Sequence, residues 1–219
     1  MPPQKVLIIG ADGFLGMNLL NFKHGDTFQE FSFIAGDINK TVVPEDIPFY
    51  NIDITSQNDV SKKIKKISPD ITILTAAMTD VDKCEEDKPL ASAINTEGPK
   101  NVLKACQEVS SKLLFMSTDF VFDGISKEGH YNEKDQPNPL SHYGKTKLNA
   151  EQMIKNSEID YLICRTAVLY GWNPRKLNYI TWVLNKLEQR EPLSIVTEQH
   201  NNPTHVKNLA EILLTMVKK

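Results

Sequence analysis

The sequence has little cysteine, no excess of positive charge and no long apolar run. Its 219 residues include three cysteines, Cys84, Cys106 and Cys164, which are far apart and match no metal-ligand spacing. This usage excludes a disulfide framework and favours a protein of the reducing cytoplasm. A formal net charge of −3 and a pI near 6.0 give no basic surface for nucleic acid or a membrane. No run approaches the ~20 apolar residues that a membrane span needs.

Short β-branched runs alternate with amphipathic stretches along the chain. Strands are predicted at 5–9, 31–35, 49–52, 71–74, 112–116, 161–164 and 193–196. Helices are predicted at 14–22, 57–68, 90–109, 143–156, 176–188 and 206–217. This alternation predicts a single α/β domain over residues 1–219, built as a doubly wound, Rossmann-like parallel sheet with helices on both faces.

The first predicted strand runs directly into a turn with Gly10, Gly13 and Gly16 at intervals of three residues. Glycines at this point permit a tight turn and a close approach of the backbone to a pyrophosphate. The helix that follows points its N-terminal amides, from Phe14 and Leu15 onwards, at the phosphates. The turn therefore predicts a dinucleotide site, and a glycine-rich strand–helix turn without a ligand is the alternative.

Two carboxylates accompany this turn. Asp37 follows the second predicted strand, about twenty residues after Gly16, where a carboxylate can accept hydrogen bonds from an adenosine ribose. Because it would repel a 2′-phosphate, Asp37 favours NAD over NADP, although Lys40 is close enough to weaken that preference. The alternative is a loop aspartate that only begins a turn. Asp12 lies within the glycine turn, and its side chain must point away from a bound pyrophosphate, which it would otherwise repel.

A second group of polar residues is centred on Tyr143 and Lys147. In a helix these residues, four apart, share one face, so that phenol and ammonium lie side by side. A neighbouring ammonium is expected to lower the pKa of the phenol, which makes Tyr143 a candidate general acid or base. Thr118 follows the fifth predicted strand, at the sheet edge where parallel strands present functional side chains. A surface tyrosine and lysine without a role are the alternative.

Three further segments have a composition that predicts a structural feature. Ala76, Ala77 and Thr79 follow the fourth predicted strand, and small residues there let the backbone come near a ligand. Gly-Pro at 98–99 falls inside a predicted helix, which predicts a kink or a break because proline cannot donate the helical hydrogen bond. The segment 123–142 is rich in Gly, Pro and Asn, and a loop of that length is typical of a functional lid.

These motifs together resemble the extended short-chain dehydrogenase/reductase family. The resemblance covers nearly the whole chain. Within the family, five stretches are similar to the dTDP-4-dehydrorhamnose reductases: 76–82, 117–124, 131–133, 165–171 and 203–204. The resemblance implies hydride transfer from NAD or NADP to the 4-keto group of a nucleotide-linked deoxysugar.

The resemblance also implies roles for individual residues. Tyr143 protonates the developing alkoxide, Lys147 lowers the pKa of the phenol and holds the nicotinamide ribose, and Thr118 hydrogen-bonds the reacting oxygen. Asn95 supports the lysine. Asp119 lines the sugar pocket beside Thr118 and Tyr143. The residues implied to contact the adenine are Asp53 and Ile54. A homodimer is a further expectation.

The sugar side departs from the family pattern. The family usually has tyrosine at position 120 and tryptophan at position 168, where this chain has Phe120 and Val168. Both changes remove aromatic or polar contacts, so the sugar is not fixed by the resemblance. Family chains also continue for several dozen residues, whereas this sequence stops at Lys219. The substrate side, expected from about residue 166 to 219, is therefore either reduced or part of a longer chain.

Two other functions fit the same motifs. The altered positions 120 and 168 suit a nucleotide-sugar epimerase or dehydratase on the same scaffold. The other alternative is a non-catalytic, NAD(P)-binding regulatory subunit. The β subunit of methionine adenosyltransferase is similar over the same motifs, including the run at 203–207.

Overall fold

The computed structural model describes residues 2–125, 130–198 and 201–218. Its main element is a six-stranded sheet formed by β1 (Gln4–Ile9), β2 (Phe31–Asp37), β3 (Phe49–Asn51), β4 (Ile71–Leu74), β5 (Lys112–Thr118) and β6 (Tyr161–Thr166). All neighbours pair in parallel, in the order β3-β2-β1-β4-β5-β6. The order reverses between β1 and β4, and such a switch point is where α/β sheets bind their ligands.

Helices cover both faces of this sheet, which confirms the doubly wound prediction. They are α1 (Phe14–Leu20), α2 (Gln57–Ile67), α3 (Val81–Glu86), α4 (Lys88–Ser92), α5 (Gly98–Val109), α6 (His142–Lys155), α7 (Tyr179–Glu188) and α8 (Val206–Val217). Successive strand residues point to opposite faces. In β1, Val6 and Ile8 therefore join the core with α1 and α8, while Leu7 and Ile9 join the core with α2, α5 and α6.

The helix break predicted at 98–99 is present and takes a specific form. A π-helical turn, Ala93–Glu97, separates α4 from α5. Pro99 has no N–H, so it cannot donate to the carbonyl of Asn95 as an ordinary helical residue would. Gly98 lies against Ile54, and a Cβ at this glycine would be 2.7 Å from Ile54 Cδ1. The absence of a side chain at Gly98 thus lets the start of α5 pack closely against Ile54, three residues beyond β3.

The prediction of a strand at 193–196 is wrong. That segment has no regular structure, and Ile195 and Val196 are largely exposed. β-branched residues form a strand only when a neighbouring strand pairs with them. The second sheet instead pairs β7 (Leu169–Tyr170) with β8 (Thr204–His205), two short strands that the sequence pattern did not indicate. The helix predicted from 176 begins at Tyr179, where Asn178 caps it in a reciprocal pair of hydrogen bonds with Thr181.

The segment predicted to act as a lid, 123–142, lies partly outside the described residues. Its described ends contact the turn that follows β5. The Tyr131 hydroxyl donates to Asp123 Oδ1 at 2.6 Å, and its ring stacks on Phe122 with centroids 4.3 Å apart. Asn138 Nδ2 donates to Asp123 Oδ2 at 3.0 Å. Separately, none of the helices within the described ranges is long and apolar enough to cross a membrane.

Candidate active site

A groove of about 1040 Å³ runs along the carboxyl ends of the strands at the switch point. Fourteen of the sixteen site residues predicted from the sequence line it: Gly10, Gly13, Phe14, Leu15, Asp37, Asp53, Ile54, Ala76, Ala77, Thr79, Thr118, Asp119, Tyr143 and Lys147. The remaining two, Gly16 and Asn95, lie behind its wall. The glycine turn and the Tyr143 helix, which are more than a hundred residues apart in the chain, therefore face one cavity.

The glycine turn is shaped by close backbone contacts. Gly10 has a φ of +92°, and a Cβ there would be 2.4 Å from the Ala76 amide nitrogen. A Cβ on Gly16 would be 2.1 Å from the Gly10 carbonyl oxygen. Gly13 caps α1 without any side-chain hydrogen bond. The turn therefore presents bare backbone at the start of a helix, which is the cradle that a dinucleotide pyrophosphate requires.

Asp37, the last residue of β2, is held by backbone amides. Its Oδ2 accepts from Asp12 N at 2.9 Å, and its Oδ1 accepts from Ile38 N at 2.7 Å. These bonds fix the carboxylate beside the glycine turn. Asp37 thus lines the groove beside the glycine turn, and its contact with a ribose stays a prediction.

The carboxylate of Asp12 points away from the turn, as the sequence argument required. Its Oδ1 accepts from the amides of Thr41 and Val42 at 2.8 and 2.7 Å, and its Oδ2 accepts from Arg175 Nη1 at 2.7 Å. A second nitrogen of Arg175 donates to the Asp12 carbonyl. Burial by itself would raise the pKa of Asp12, but the bonds from Val42, Thr41 and Arg175 hold it below its usual value. The buried carboxylate is therefore charged and paired.

Thr118 and Tyr143 meet at the centre of the groove. Thr118 ends β5, and its hydroxyl, which donates to Asp119 Oδ1 at 3.1 Å, lies beside the phenol of Tyr143. The expectation that Lys147 lowers the pKa of the phenol is wrong for this structure. Burial raises the pKa of Tyr143 to about 12, the nearby Thr118 hydroxyl opposes the rise, and the charge of Asp119 adds to it. Tyr143 is only 8% exposed, so desolvation of the phenolate outweighs its neighbours.

Lys147 lies one turn along α6 from Tyr143 and is 2% exposed. Its Nζ is 4.1 Å from the centroid of the Phe115 ring. Burial lowers the pKa of Lys147 to about 7, and the negative charge of Glu151 opposes that fall. Near neutral pH this amine is therefore close to its midpoint, a property of many functional lysines.

Asn95 is fully buried in the π-helical turn and does not line the groove. Its side chain exchanges two hydrogen bonds with the backbone of Met78. Met78 N donates to Oδ1, and Nδ2 donates to Met78 O, both at 2.9 Å. Asn95 thereby fixes the segment that follows β4, including the groove residues Ala76, Ala77 and Thr79.

The groove is largely apolar around Tyr143. The ring of Phe120 contacts the Tyr143 ring edge to face, with centroids 5.9 Å apart. Phe120 and Val168 both line the groove and are both 38% exposed. Burial raises the pKa of Asp119, while its hydrogen bond from Thr118 opposes the rise. One carboxyl group and two hydroxyl groups are therefore set in an apolar wall.

Three residues of the site were missed by the sequence argument. Gly144 allows α6 to touch the turn after β5, since a Cβ there would be 2.2 Å from the Phe120 carbonyl oxygen. Gly144 follows Tyr143 directly and could have been recognised as a close-contact position. Arg175 and Glu151 gave no signal, because their partners lie far away in the sequence.

Comparison with known proteins agrees with this geometry. Residues 4–219 match the family described as "RmlD substrate binding domain". The dTDP-4-dehydrorhamnose reductase of Mycolicibacterium smegmatis is 32% identical over 214 residues, which cover 98% of this chain and 60% of that protein. The methionine adenosyltransferase 2 subunit beta of Bos taurus is 29% identical over 222 residues, covering 100% of this chain and 64% of that protein.

A solved structure shows the same fold. The dTDP-4-dehydrorhamnose reductase of Bacillus anthracis, in complex with NADP, superposes with a TM-score of 0.87 at 32% identity, covering 100% of this chain and 72% of that one. This chain thus spans 60–72% of the length of these three relatives. By its match over residues 4–219, the chain belongs to the RmlD substrate-binding-domain family, within the extended short-chain dehydrogenases/reductases whose motifs it carries.

Proposed function

We propose that this chain is an NAD(P)-dependent reductase that transfers a hydride to the 4-keto group of a nucleotide-linked deoxysugar, in the manner of a dTDP-4-dehydrorhamnose reductase. The observation that carries the proposal is the convergence of Thr118, Tyr143 and Lys147 with the glycine turn in one groove. A hydroxyl, a phenol and an amine beside a dinucleotide cradle are the groups that carbonyl reduction needs.

The residues present fit a nicotinamide dinucleotide. Gly10, Gly13 and Gly16 leave bare backbone for the pyrophosphate, and Asp37 is fixed where it can accept from the adenosine ribose. Asp53 and Ile54 are proposed to contact the adenine. The dinucleotide supplies the hydride. We propose NAD as the preferred form because the carboxylate of Asp37 repels a 2′-phosphate, and NADP remains an alternative because the Bacillus anthracis relative is complexed with it.

Tyr143 is the residue that we propose as the proton donor. A phenol whose pKa is raised to about 12 stays protonated at neutral pH, so it can donate to the oxygen of a carbonyl that is being reduced. Thr118 can donate a second hydrogen bond to the same oxygen when its hydroxyl turns away from Asp119 Oδ1, to which it donates at 3.1 Å. Lys147 provides a positive charge when protonated, which stabilises the negative charge that develops on the oxygen and the phenol. Asn95 supports this arrangement through the segment after β4.

The sugar is proposed to lie against Thr118, Asp119 and Tyr143, with residues from about 166 onwards on its outer side. Val168, Leu177 and Tyr179 line the groove from that part of the chain. The whole chain is then one NAD(P)-binding unit that carries part of its substrate side. The three free cysteines support a cytoplasmic location, and the homodimer remains a prediction.

A regulatory, non-catalytic function is the second candidate. It is favoured by the bovine methionine adenosyltransferase 2 subunit beta, which aligns over the whole chain. An epimerase or dehydratase is a third, because the fold and cofactor site suit that chemistry equally. The intact hydroxyl, phenol and amine favour catalysis over a purely regulatory function.

The test is consumption of NADH or NADPH with dTDP-4-dehydrorhamnose. We expect turnover by the unmodified protein and a ~10²–10⁴-fold loss of kcat in Tyr143→Phe, which removes the proton donor. Tyr161→Phe is the matched control, since Tyr161 is exposed at the start of β6. Cofactor binding without turnover would contradict the reductase and favour the regulatory function. Tightly retained NAD with sugar interconversion would favour the epimerase.

A further inference from the structure

A buried carboxylate lies directly behind the catalytic groups. Glu151 is on α6, one turn beyond Lys147, and is fully buried. Its Oε1 accepts from Ser117 Oγ at 2.6 Å and from Arg165 Nε at 2.8 Å. Its Oε2 accepts from Arg165 Nη2 at 2.6 Å and from Lys155 Nζ at 3.3 Å. Both oxygens of the Glu151 carboxylate therefore accept two hydrogen bonds each, from residues of β5, β6 and α6.

These contacts tie the catalytic helix to two strand ends. Ser117 directly precedes Thr118 on β5, and Arg165 directly precedes Thr166 on β6. The two strands pair in this register, with Ser117 opposite Arg165. The Arg165 guanidinium also lies over the ring of Phe122, 5.0 Å from its centroid. A shift of the Thr118 end of β5 relative to α6 would therefore break the bonds to Glu151.

Stability alone is a weak reason for such a group. The cost of desolvating a buried ion pair is often as large as its attraction, and an apolar pair of similar volume stabilises a core equally well. Neighbouring core positions on α6 are apolar in this way, at Ala150 and Ile154. What an apolar residue could not supply is a fixed negative charge and a bond to the strand that carries Thr118.

We propose that Glu151 is a positioning residue for the reductase site: it holds the Thr118 end of β5 against α6 and places a buried negative charge one turn along α6 from Lys147. The inference rests on the proposed function. Among the described residues, Glu151 is the one fully buried carboxylate, and it does not line the groove. The proposal assigns this carboxylate a function.

The direction of the effect on Lys147 follows from its surroundings. Burial depresses the pKa of Lys147 from 10.5 to about 7, and Glu151 acts against burial. The charged groups that face Glu151 are Arg165 on β6 and Lys155 on α6, and Glu133 acts on Arg165 from the loop. Neutralising Glu151 removes one negative charge and leaves Arg165 uncompensated. Both changes favour the neutral amine, so the pKa of Lys147 falls further.

The lowered pKa of Lys147 also makes the stability of the fold depend on pH. The unfolded state binds a proton on this lysine up to its ordinary pKa, whereas the folded state releases it near 7. Between about pH 7 and 10.5 the unfolded chain holds more protons, so the contribution of Lys147 to stability rises with pH over that window. With Glu151 neutral, the window begins at a lower pH.

The experiment compares Glu151→Gln with the unmodified protein by two readouts. The first is the pH profile of kcat/KM with reduced cofactor and dTDP-4-dehydrorhamnose. The second is an NMR titration of 13C-labelled lysine side chains, with the Lys147 signal assigned from Lys147→Met. We expect the alkaline limb of the rate profile and the Lys147 midpoint to move down together, by roughly one pH unit.

The controls separate positioning from folding. Glu158→Gln makes the same change at an exposed glutamate just beyond α6, and both readouts should stay where they are. If Glu151→Gln does not fold, the pair Glu151→Met with Arg165→Met keeps the packing volume without the buried charges. That variant should fold and show a smaller fall of the Lys147 midpoint than Glu151→Gln, because the uncompensated charge of Arg165 is absent as well.

The possible results distinguish the proposed reductase activity from the proposed effect of Glu151 on Lys147. Unchanged midpoints and an unchanged rate profile in folded Glu151→Gln overturn the inference. If the unmodified protein shows no turnover but the Lys147 midpoint still falls in the variant, the reductase fails while the link between Glu151 and Lys147 is supported. If the midpoint falls and the alkaline limb does not follow, the positioning function for the reaction is overturned.

Discussion

The groove has two walls that differ in how firmly they are held. The inner wall consists of the strand ends and α6, where Thr118, Tyr143 and Lys147 are at most 8% exposed. The outer wall comes from the chain after Thr166, where α7 buries no residue and Leu184 is 59% exposed. The groups proposed to transfer the proton are thus buried against the core, whereas the side proposed to meet the sugar has few buried side chains. The two departures from the family pattern are divided between the walls: Phe120 packs against Tyr143 of the inner wall, and Val168 belongs to the outer wall.

Crowding the glycine turn, which supports the inner wall from behind, should have the largest effect on stability. In Gly16→Ala the added methyl group would lie 2.1 Å from the Gly10 carbonyl oxygen and 2.7 Å from Ala11 Cα, both of them backbone atoms that cannot move aside. We expect a loss of about 3 kcal/mol in the free energy of unfolding, measured by denaturant titration. Gly25→Ala is the control, because its Cβ would meet nothing closer than 3.7 Å. Equal stability of the two variants would mean that the turn is not close-packed.

Breaking the ion pair that joins the two walls should have an intermediate effect, which we expect on dinucleotide binding. Arg175, from the outer wall, pairs with the buried Asp12 of the glycine turn. In Arg175→Gln the carboxylate is left without its cation near the proposed pyrophosphate, so we expect dinucleotide binding to weaken about tenfold, or ~1.4 kcal/mol. Isothermal titration with NADH measures this.

Two comparisons sharpen that result. Arg190→Gln removes an exposed arginine that follows α7 and should leave the affinity unchanged. The loss in Arg175→Gln should shrink in Asp12→Asn, where there is no carboxylate left to compensate. An affinity independent of Arg175 would mean that the outer wall does not take part in cofactor binding.

The smallest effect is expected within the outer wall. Leu184→Ser on α7 removes a side chain that is already 59% exposed, so the free energy of unfolding should change by no more than ~0.5 kcal/mol. The same substitution at the fully buried Leu213 of α8 is the contrast. A loss above about 1 kcal/mol for Leu184→Ser, growing with protein concentration, would show that a second copy covers α7.

Much of the site could be predicted because the signals were local. Gly10, Gly13 and Gly16 are close in sequence, and so are Tyr143 and Lys147. The end of each predicted strand marks a position at one sheet edge, which brought Asp37 and Thr118 to the same groove. The strand at 193–196 was wrong because its residues satisfy a local preference but find no pairing partner in the part of the chain that the structure describes.

The protonation states could not be predicted from spacing. The i and i+4 placement of Tyr143 and Lys147 was confirmed, yet the inferred direction of the tyrosine shift was wrong. Spacing gives the distance between two groups but not the water that each has lost. Burial turned out to be the larger effect for both side chains, raising the pKa of Tyr143 and lowering that of Lys147.

The sequence by itself determined the six strands of the main sheet, the glycine turn and the face shared by the phenol and the amine, because each depends on residues a few positions apart. Only the tertiary structure decided which distant groups meet. Arg175 reaches Asp12 across 163 positions, and Glu151 joins two strand ends to α6. Such pairs leave no periodic pattern, since packing of the finished fold alone determines their distance, their burial and hence their charge.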